Sequence, residues 1–181
     1  MKILGISGSL RRDSFNTRLL HVAQDAAPDG VTIELFDLAA IPLYNEDVRA
    51  VGYPAPVAAL REAIRGADAL LFATPEYNYS VSGVLKNAID WASRPPDPPL
   101  LDKPAAVMGA STGLNGTVRA QFHLRQILVG VNVHLVNRPE VMIRMAAEKF
   151  DTAGALTDEK GREQVAALVT GLVDWTNRLT R

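Results

Sequence analysis

The chain has 181 residues, a formal net charge of -1 and no cysteine. That length suits one domain with a substantial core, read here as spanning residues 1–181. The balanced charge gives no long-range field for nucleic acid or an anionic membrane, and the missing thiols exclude disulfides, thiolate metal sites and thiol redox chemistry.

Residues 2–7 read as a first strand built on Ile3-Leu4-Gly5-Ile6. A polar loop from Ser7 to Thr17 follows, after which Leu19, Leu20, Val22, Ala23, Ala26 and Ala27 recur at helical spacing over about 15–27. Residues 31–36 alternate as a second strand. The 37–56 stretch is a polar connection with Ile41-Pro42-Leu43-Tyr44 as an apolar patch; a loop that long tends to be functional, or it wraps the sheet edge. Val57, Leu60, Ala63 and Ile64 mark a second helix, and residues 68–74 form a nearly continuous apolar run, typical of a central parallel strand. Leu85, Ala88, Ile89 and Ala92 give a third helix, terminated by Pro95-Pro96.

A fourth strand, residues 105–110, opens into Ser111-Thr112-Gly113-Leu114-Asn115-Gly116 and a fourth helix over about 118–128. Residues 133–136 and 141–143 form a last strand region split by Pro139, and an amphipathic helix runs from Asp158. Strands alternating with helices imply right-handed crossovers and a parallel three-layer α/β/α sandwich. The start of the chain lacks a signal-peptide layout and no apolar run reaches a membrane span, so a cytoplasmic protein with no membrane contact is expected.

The first loop has the makings of an anion site. Helix N-terminal N–H groups lack intrahelical partners and sit at the positive end of the dipole. Ser9, Ser14, Asn16 and Thr17 are small polar donors beside them, and Arg11 offers a charged planar fork that matches phosphate oxygens. The competing reading is an ordinary N-cap, by Ser14 or Asn16, with solvated arginines. Spacing leaves both open. The loop has no Walker lysine, and only Gly5 and Gly8 stand near the turn where the dinucleotide fingerprint needs three glycines. Asp37 lies about ten residues beyond the usual ribose-binding carboxylate of that fingerprint. A terminal phosphate monoester suits such a loop better than a pyrophosphate.

Gly-Ser-Leu-Arg-x-x-Ser-x-Asn, at residues 8–16, resembles the phosphate loop of the NAD(P)H-dependent FMN reductase family, which includes chromate, quinone and azo-dye reductases. The resemblance recurs at Pro75-Glu76-Tyr77-Asn78-Tyr79-Ser80 and continues from Gly83 to Trp91, covering most of residues 1–145. It implies a flavodoxin-like five-stranded parallel sheet of order 2-1-3-4-5, which gathers the loops after the first, third and fourth strands at one sheet end. FMN would then be held by Ser9, Arg11, Ser14, Phe15, Asn16 and Thr17 in the first loop. Pro75, Glu76, Tyr77 and Asn78 would hold it in the second, and Ser111, Thr112 and Gly113 in the third. From the residues alone, Tyr77 and Tyr79 read equally as loop anchors, and Ser111 to Gly113 as a helix-start turn.

The resemblance further implies NADPH or NADH as co-substrate and ping-pong hydride transfer through FMN. The small-molecule acceptor would be a quinone, an azo compound, a metal oxyanion such as chromate, or free flavin. A homodimer or homotetramer is implied as well. No protein residue is expected to be catalytic, since the flavin carries the hydride, and no metal site is expected. Backbone N–H groups from Glu76 to Asn78 are placed to meet the ring's polar edge, and Glu76 holds its loop or orients a substrate amide. His21, His123 and His134 read as structural or surface residues. Lys86 and Asp90 have the spacing of a helical ion pair. Asn115-Gly116 departs from the Gly-Gly expected of relatives. The alternative is a non-enzymatic FMN electron carrier, whose usual acidity is missing; a Rossmann-type regulator would bind no flavin.

Overall fold

The structure is a computed structural model describing residues 1–180. Its strands are β1 (Lys2–Ser7), β2 (Thr32–Phe36), β3 (Ala69–Ala73), β4 (Pro104–Ala110), β5 (His134–Leu135) and β6 (Val141–Ile143). They form one parallel sheet of order β2-β1-β3-β4-β5, with β6 also paired to β4. The order expected from the resemblance is therefore the one found. The apolar run read as a central strand is β3, buried at every position, and β4 beside it is buried throughout. Such strands need cover on both faces.

Two apolar layers supply it. Leu19 and Leu20 of α1 (Phe15–Asp25) pack with Leu168 and Leu172 of α7 (Glu159–Leu179) on one face. On the other, Leu60 of α3 (Ala55–Arg65), Leu85 of α4 (Gly83–Ala92) and Leu124 of α5 (Val118–Gly130) close the second core. The last strand region is split as expected. β5 pairs with Pro104 and Ala105, and β6 with Met108 to Ala110, so its halves serve opposite ends of β4.

The 37–56 connection carries a short helix that sequence reading does not anticipate, α2 (Glu46–Val51), capped by the Asn45 side chain accepting from Asp47 N–H. A one-turn helix, α6 (Ala146–Lys149), follows β6. The connection is tied to α4. Asn87 Nδ2 and Trp91 Nε1 each donate to the Pro42 carbonyl at 2.8 Å, and Tyr44 N–H donates back to Asn87 Oδ1 at 2.7 Å. Tyr44 stands edge-on to Trp91, with ring centroids 4.9 Å apart. Asn87 and Trp91 therefore act as anchors for this segment. The expected Lys86–Asp90 pair forms at 2.8 Å on the same helix.

Arg61 is the one charged residue of α3 that is buried, at 5 % exposure. Its guanidinium donates to the carbonyls of Trp91, Ala92 and Arg94 through Nη1, and of Pro96 and Asp97 through Nη2. It stacks 4.2 Å from the Tyr53 ring centroid. The Trp91 and Ala92 carbonyls end α4 and the other three belong to the segment that follows it. None has a helical partner of its own, so a cation from a neighbouring helix satisfies them.

Candidate functional site

Ser14 caps α1. Its backbone is extended and its Oγ accepts from the N–H groups of Asn16 (3.2 Å) and Thr17 (3.4 Å). The plain capping role is thus real for Ser14, and it leaves the neighbouring N–H groups of Leu10, Arg12 and Phe15 without a partner among the described residues. Arg11 is exposed. Nη2 donates to the Asp13 carbonyl at 2.7 Å, and the guanidinium carbon lies 5.5 Å from the Phe15 ring centroid. A guanidinium has five N–H donors, so most of its capacity remains open.

Asn16 behaves differently from the expected phosphate donor. It is 4 % exposed, and both ends of its amide engage one residue of β4: Nδ2 donates to the Ala110 carbonyl at 3.0 Å, and Oδ1 accepts from Ala110 N–H at 2.9 Å. The side chain fastens the first loop to the third. Thr17 Oγ1 donates to Ser7 Oγ at 3.0 Å and faces a small separate pocket bordered by Asp37. Asp37 itself accepts from Ala39 N–H, a local turn contact.

The cavity these elements enclose measures about 230 Å³. Ser9, Arg11, Ser14, Phe15 and Asn16 line one side; Pro75, Glu76 and Tyr77 face them, with Ala110, Ser111 and Thr112 between. Ten of the expected contact residues converge there. Thr17, Asn78 and Gly113 stand outside the lining. At the root of the first loop, a Cβ on Gly8 would come within 2.9 Å of Pro75 Cδ and 3.0 Å of Ser82 Oγ, so glycine lets the first two loops meet.

The second loop folds as a tight hairpin. Tyr77 and Ser80 exchange backbone hydrogen bonds at 3.0 Å, and Asn78 and Tyr79 both take positive φ (50° and 69°), the signature of a type I′ turn. This turn engages Tyr77 N–H, so the expected row of N–H groups for the ring reduces to those of Glu76 and Asn78. In the third loop the N–H groups of Thr112 and Gly113 are unpartnered among the described residues.

Glu76 points towards α5. That helix begins at Thr117, which has φ of 68° and makes no side-chain cap. The Glu76 carboxylate supplies the cap instead, accepting from Arg119 N–H (3.0 Å), Ala120 N–H (3.2 Å) and Arg119 Nη1 (3.0 Å). The Arg119 guanidinium also covers the Tyr79 ring at 3.9 Å. Of the two expected roles for Glu76, its side chain performs the loop-holding one. Replacing it with glutamine keeps the acceptor oxygen and removes the charge beside a helix start. A loss of about 1 kcal/mol is expected, read as a melting temperature about 2–4 °C lower. Of the Asn115-Gly116 pair the glycine is required, since φ at Gly116 is 55° and a Cβ would meet the Met142 carbonyl oxygen at 2.8 Å; nothing in the structure explains Asn115 in place of a first glycine.

The histidines lie apart from the cavity lining. His123 Nδ1 is 3.0 Å from Ser80 Oγ, His134 Nε2 is 3.1 Å from Asp102 Oδ1, and His21 Nδ1 is 2.8 Å from Gln24 Oε1. No group of three or more potential metal-ligating side chains occurs among the described residues.

The segments around the cavity thus hold a charged fork, a helix start and unpartnered N–H groups on three loops. That donor set fits a cofactor with one phosphate and a polar ring edge. Comparison with known proteins agrees. Residues 1–148 match the family described as NADPH-dependent FMN reductase. An NAD(P)H-dependent FMN reductase of Pseudomonas aeruginosa is 58 % identical over 179 residues, covering 99 % of this chain and 97 % of that protein. A quinone reductase of Escherichia coli is 41 % identical over 182 residues, with coverages of 99 % and 97 %. Among solved structures, FerB of Paracoccus denitrificans, a flavoenzyme NAD(P)H:(acceptor) oxidoreductase, superposes with a TM-score of 0.90 at 38 % identity, covering 98 % of this chain and 97 % of its own. On fold, cavity and sequence together, the chain belongs to the NADPH-dependent FMN reductase family, and it is an FMN-dependent oxidoreductase working with NAD(P)H.

Proposed function

We propose that residues 1–181 form a single FMN-binding domain that takes reducing equivalents from NADPH or NADH and delivers them to a small oxidised acceptor, a quinone first among the candidates. The observation that carries this reading is the meeting of three post-strand loops on one cavity, with a cationic helix start at one end and main-chain donors at the other. FMN, when bound, supplies the hydride chemistry. The chain's part is to hold and orient. Arg11 and the start of α1 receive the phosphate, with Ser9 and Ser14 beside them, while Phe15 forms part of the cavity wall. The N–H groups of Glu76 and Thr112, residues that line the cavity, are free among the described residues and would meet the ring's polar edge, where donors stabilise negative charge. Asn16 holds two of the loops in register. One site used in turn by donor and acceptor implies ping-pong kinetics.

A homodimer or homotetramer is proposed on the exposed apolar residues of α5, Phe122 at 50 % and Val129 at 71 % exposure, and a cytoplasmic setting on the cysteine-free sequence and the nicotinamide substrate. No helix among the described residues is long and apolar enough to cross a membrane.

The visible spectrum of the purified protein, with identification of the released cofactor, tests the reading together with quinone-dependent oxidation of NADPH. Flavin absorbance, FMN in preference to FAD, and turnover with a quinone are expected; a colourless protein overturns the proposal. Because no histidine lines the cavity, His123→Ala and His134→Ala variants loaded with flavin should keep their flavin reduction rate within a few fold. A loss of about a hundredfold, the low end for general acid–base catalysis, would place acid–base chemistry where none is assigned.

A further inference from the structure

We propose that a second, cationic cleft beside the flavin cavity receives the adenosine end of the nicotinamide co-substrate, and that Arg144 and Lys160 there select the 2′-phosphate of NADPH. This rests on the reading of the chain as an NAD(P)H oxidoreductase. The cleft, about 930 Å³, lies between the edge strand β6 and the first turn of α7. That volume falls in the range of small-molecule sites. Pro139, Met142 and Ile143 give it apolar surface suited to a purine, and its charged lining includes four cations and two carboxylates.

Its charges are unevenly matched. Glu140 is paired with Arg138 at 3.2 Å, and Asp158 with Lys149 at 2.9 Å. Both carboxylates are thus answered. Arg144 and Lys160 are exposed and, among the described residues, make no side-chain hydrogen bond or ion pair. An excess of two positive charges remains. A phosphate monoester carries about -1.5 to -2 at neutral pH, and the guanidinium fork suits its oxygens. The unphosphorylated dinucleotide offers no such dianion.

The cleft and the flavin cavity also share a wall. Ser111 N–H donates to the Ile143 carbonyl at 2.9 Å, Ala146 N–H to the Ser111 carbonyl at 2.9 Å, and Met145 N–H to the Gly113 carbonyl at 3.1 Å. Ser111 lines the flavin cavity, while Ile143 and Arg144 line the cleft. Arg144 thus projects from a segment bonded along its length to the loop that faces the flavin. A dinucleotide whose nicotinamide sits over that loop can continue across the partition into the cleft.

The test uses the flavin-loaded protein and two probes, adenosine 2′,5′-bisphosphate and 5′-AMP, by titration calorimetry. The wild type should bind the bisphosphate at least tenfold more tightly. Arg144→Gln/Lys160→Gln should lose about ten- to a hundredfold of that affinity and leave 5′-AMP binding and flavin content unchanged. In the same variant kcat/KM should fall for NADPH and stay within twofold for NADH. Equal affinity for the two probes in the wild type overturns the proposal, as does an unchanged NADPH-to-NADH ratio in the variant. Equal losses for both nucleotides overturn it too. The calorimetry needs no turnover, so a protein that oxidises neither nucleotide refutes the functional reading by itself, while normal turnover without discrimination refutes only the cleft.

Discussion

Arg11→Ala is expected to weaken FMN binding about ten- to a hundredfold and to leave riboflavin affinity nearly unchanged, whereas Asn16→Ala should weaken both ligands together. Riboflavin shares the ring and ribityl chain of FMN and lacks only the phosphate. The Arg11 side chain makes one hydrogen bond to the protein, to the Asp13 carbonyl, and is exposed, so its removal costs the fold little. A charge-assisted bond to phosphate is worth roughly 1.5–3 kcal/mol, which sets the size of the FMN effect. Asn16 forms its polar contacts with Ala110, 94 residues away, and is buried. Alanine there leaves the Ala110 N–H and carbonyl without their partner and unfastens the first loop from the third, and a ligand bridging those loops loses affinity whether or not it carries a phosphate. Fluorescence quenching with both flavins checks this. Parallel loss in Arg11→Ala would remove the phosphate assignment.

Arg61→Met should lower the melting temperature by about 6–12 °C, with flavin binding per folded molecule unaffected because Arg61 does not line the cavity. Methionine fills much of the volume but removes a donor from five carbonyls, of which only that of Arg94 keeps another among the described residues, Tyr53 Oη at 3.4 Å. Unsatisfied buried acceptors cost about 1–3 kcal/mol each before relaxation, and water can reach part of this set, so a net loss of about 3 kcal/mol is expected. Burial pushes the Arg61 pKa down from its usual value, yet a guanidinium keeps its charge at any working pH. Arg61→Lys should recover part of the loss, since an ammonium donates three hydrogen bonds and cannot span both rows of carbonyls. A melting temperature within about 2 °C of the wild type for Arg61→Met, less than the shift for 1 kcal/mol, would show that those carbonyls find water without difficulty.

These residues mark what sequence can and cannot convey. The strands and helices were legible because β3 is a buried apolar run and the flanking helices keep their periodicity, while the strand order came only from the family resemblance. The first loop showed itself as a candidate anion site because strand, small polar residues and helix start are adjacent in the chain. The resemblance, not the spacing, favoured that reading over a plain cap. The role of Asn16 was not legible, nor was the helix that Glu76 grips in holding its loop, since each depends on a partner 94 or 43 residues away whose position only the assembled sheet defines. Arg61 carries no signal in the sequence, because nothing local shows that α4 ends beneath it. The short helix α2 was hidden in a polar stretch whose cap, Asn45, is equally at home in a turn. Tyr77 N–H was assigned to the ring because a type I′ turn at Asn-Tyr, where Asn-Gly is the usual choice, gives a weak hairpin signal.

The side-chain ties around the cavity bear on how such a chain can diversify. Asn16 joins the first loop to the third, Ser82 Oγ donates to the Gly8 carbonyl at 2.6 Å to join the first to the second, and Glu76 roots the second on α5. Each of these positions answers to two parts of the molecule at once, so a substitution there must be matched by another elsewhere before the site works again. Leu10, Tyr77, Tyr79 and Leu114 stand on the same loops with half or more of their surface open to solvent. Tyr79 lies under the Arg119 guanidinium that Glu76 holds, so it shares in one of the ties. A lineage acquiring a new acceptor can change the other three without disturbing them, so natural variation in substrate range should gather at the rim while the inner ring stays fixed.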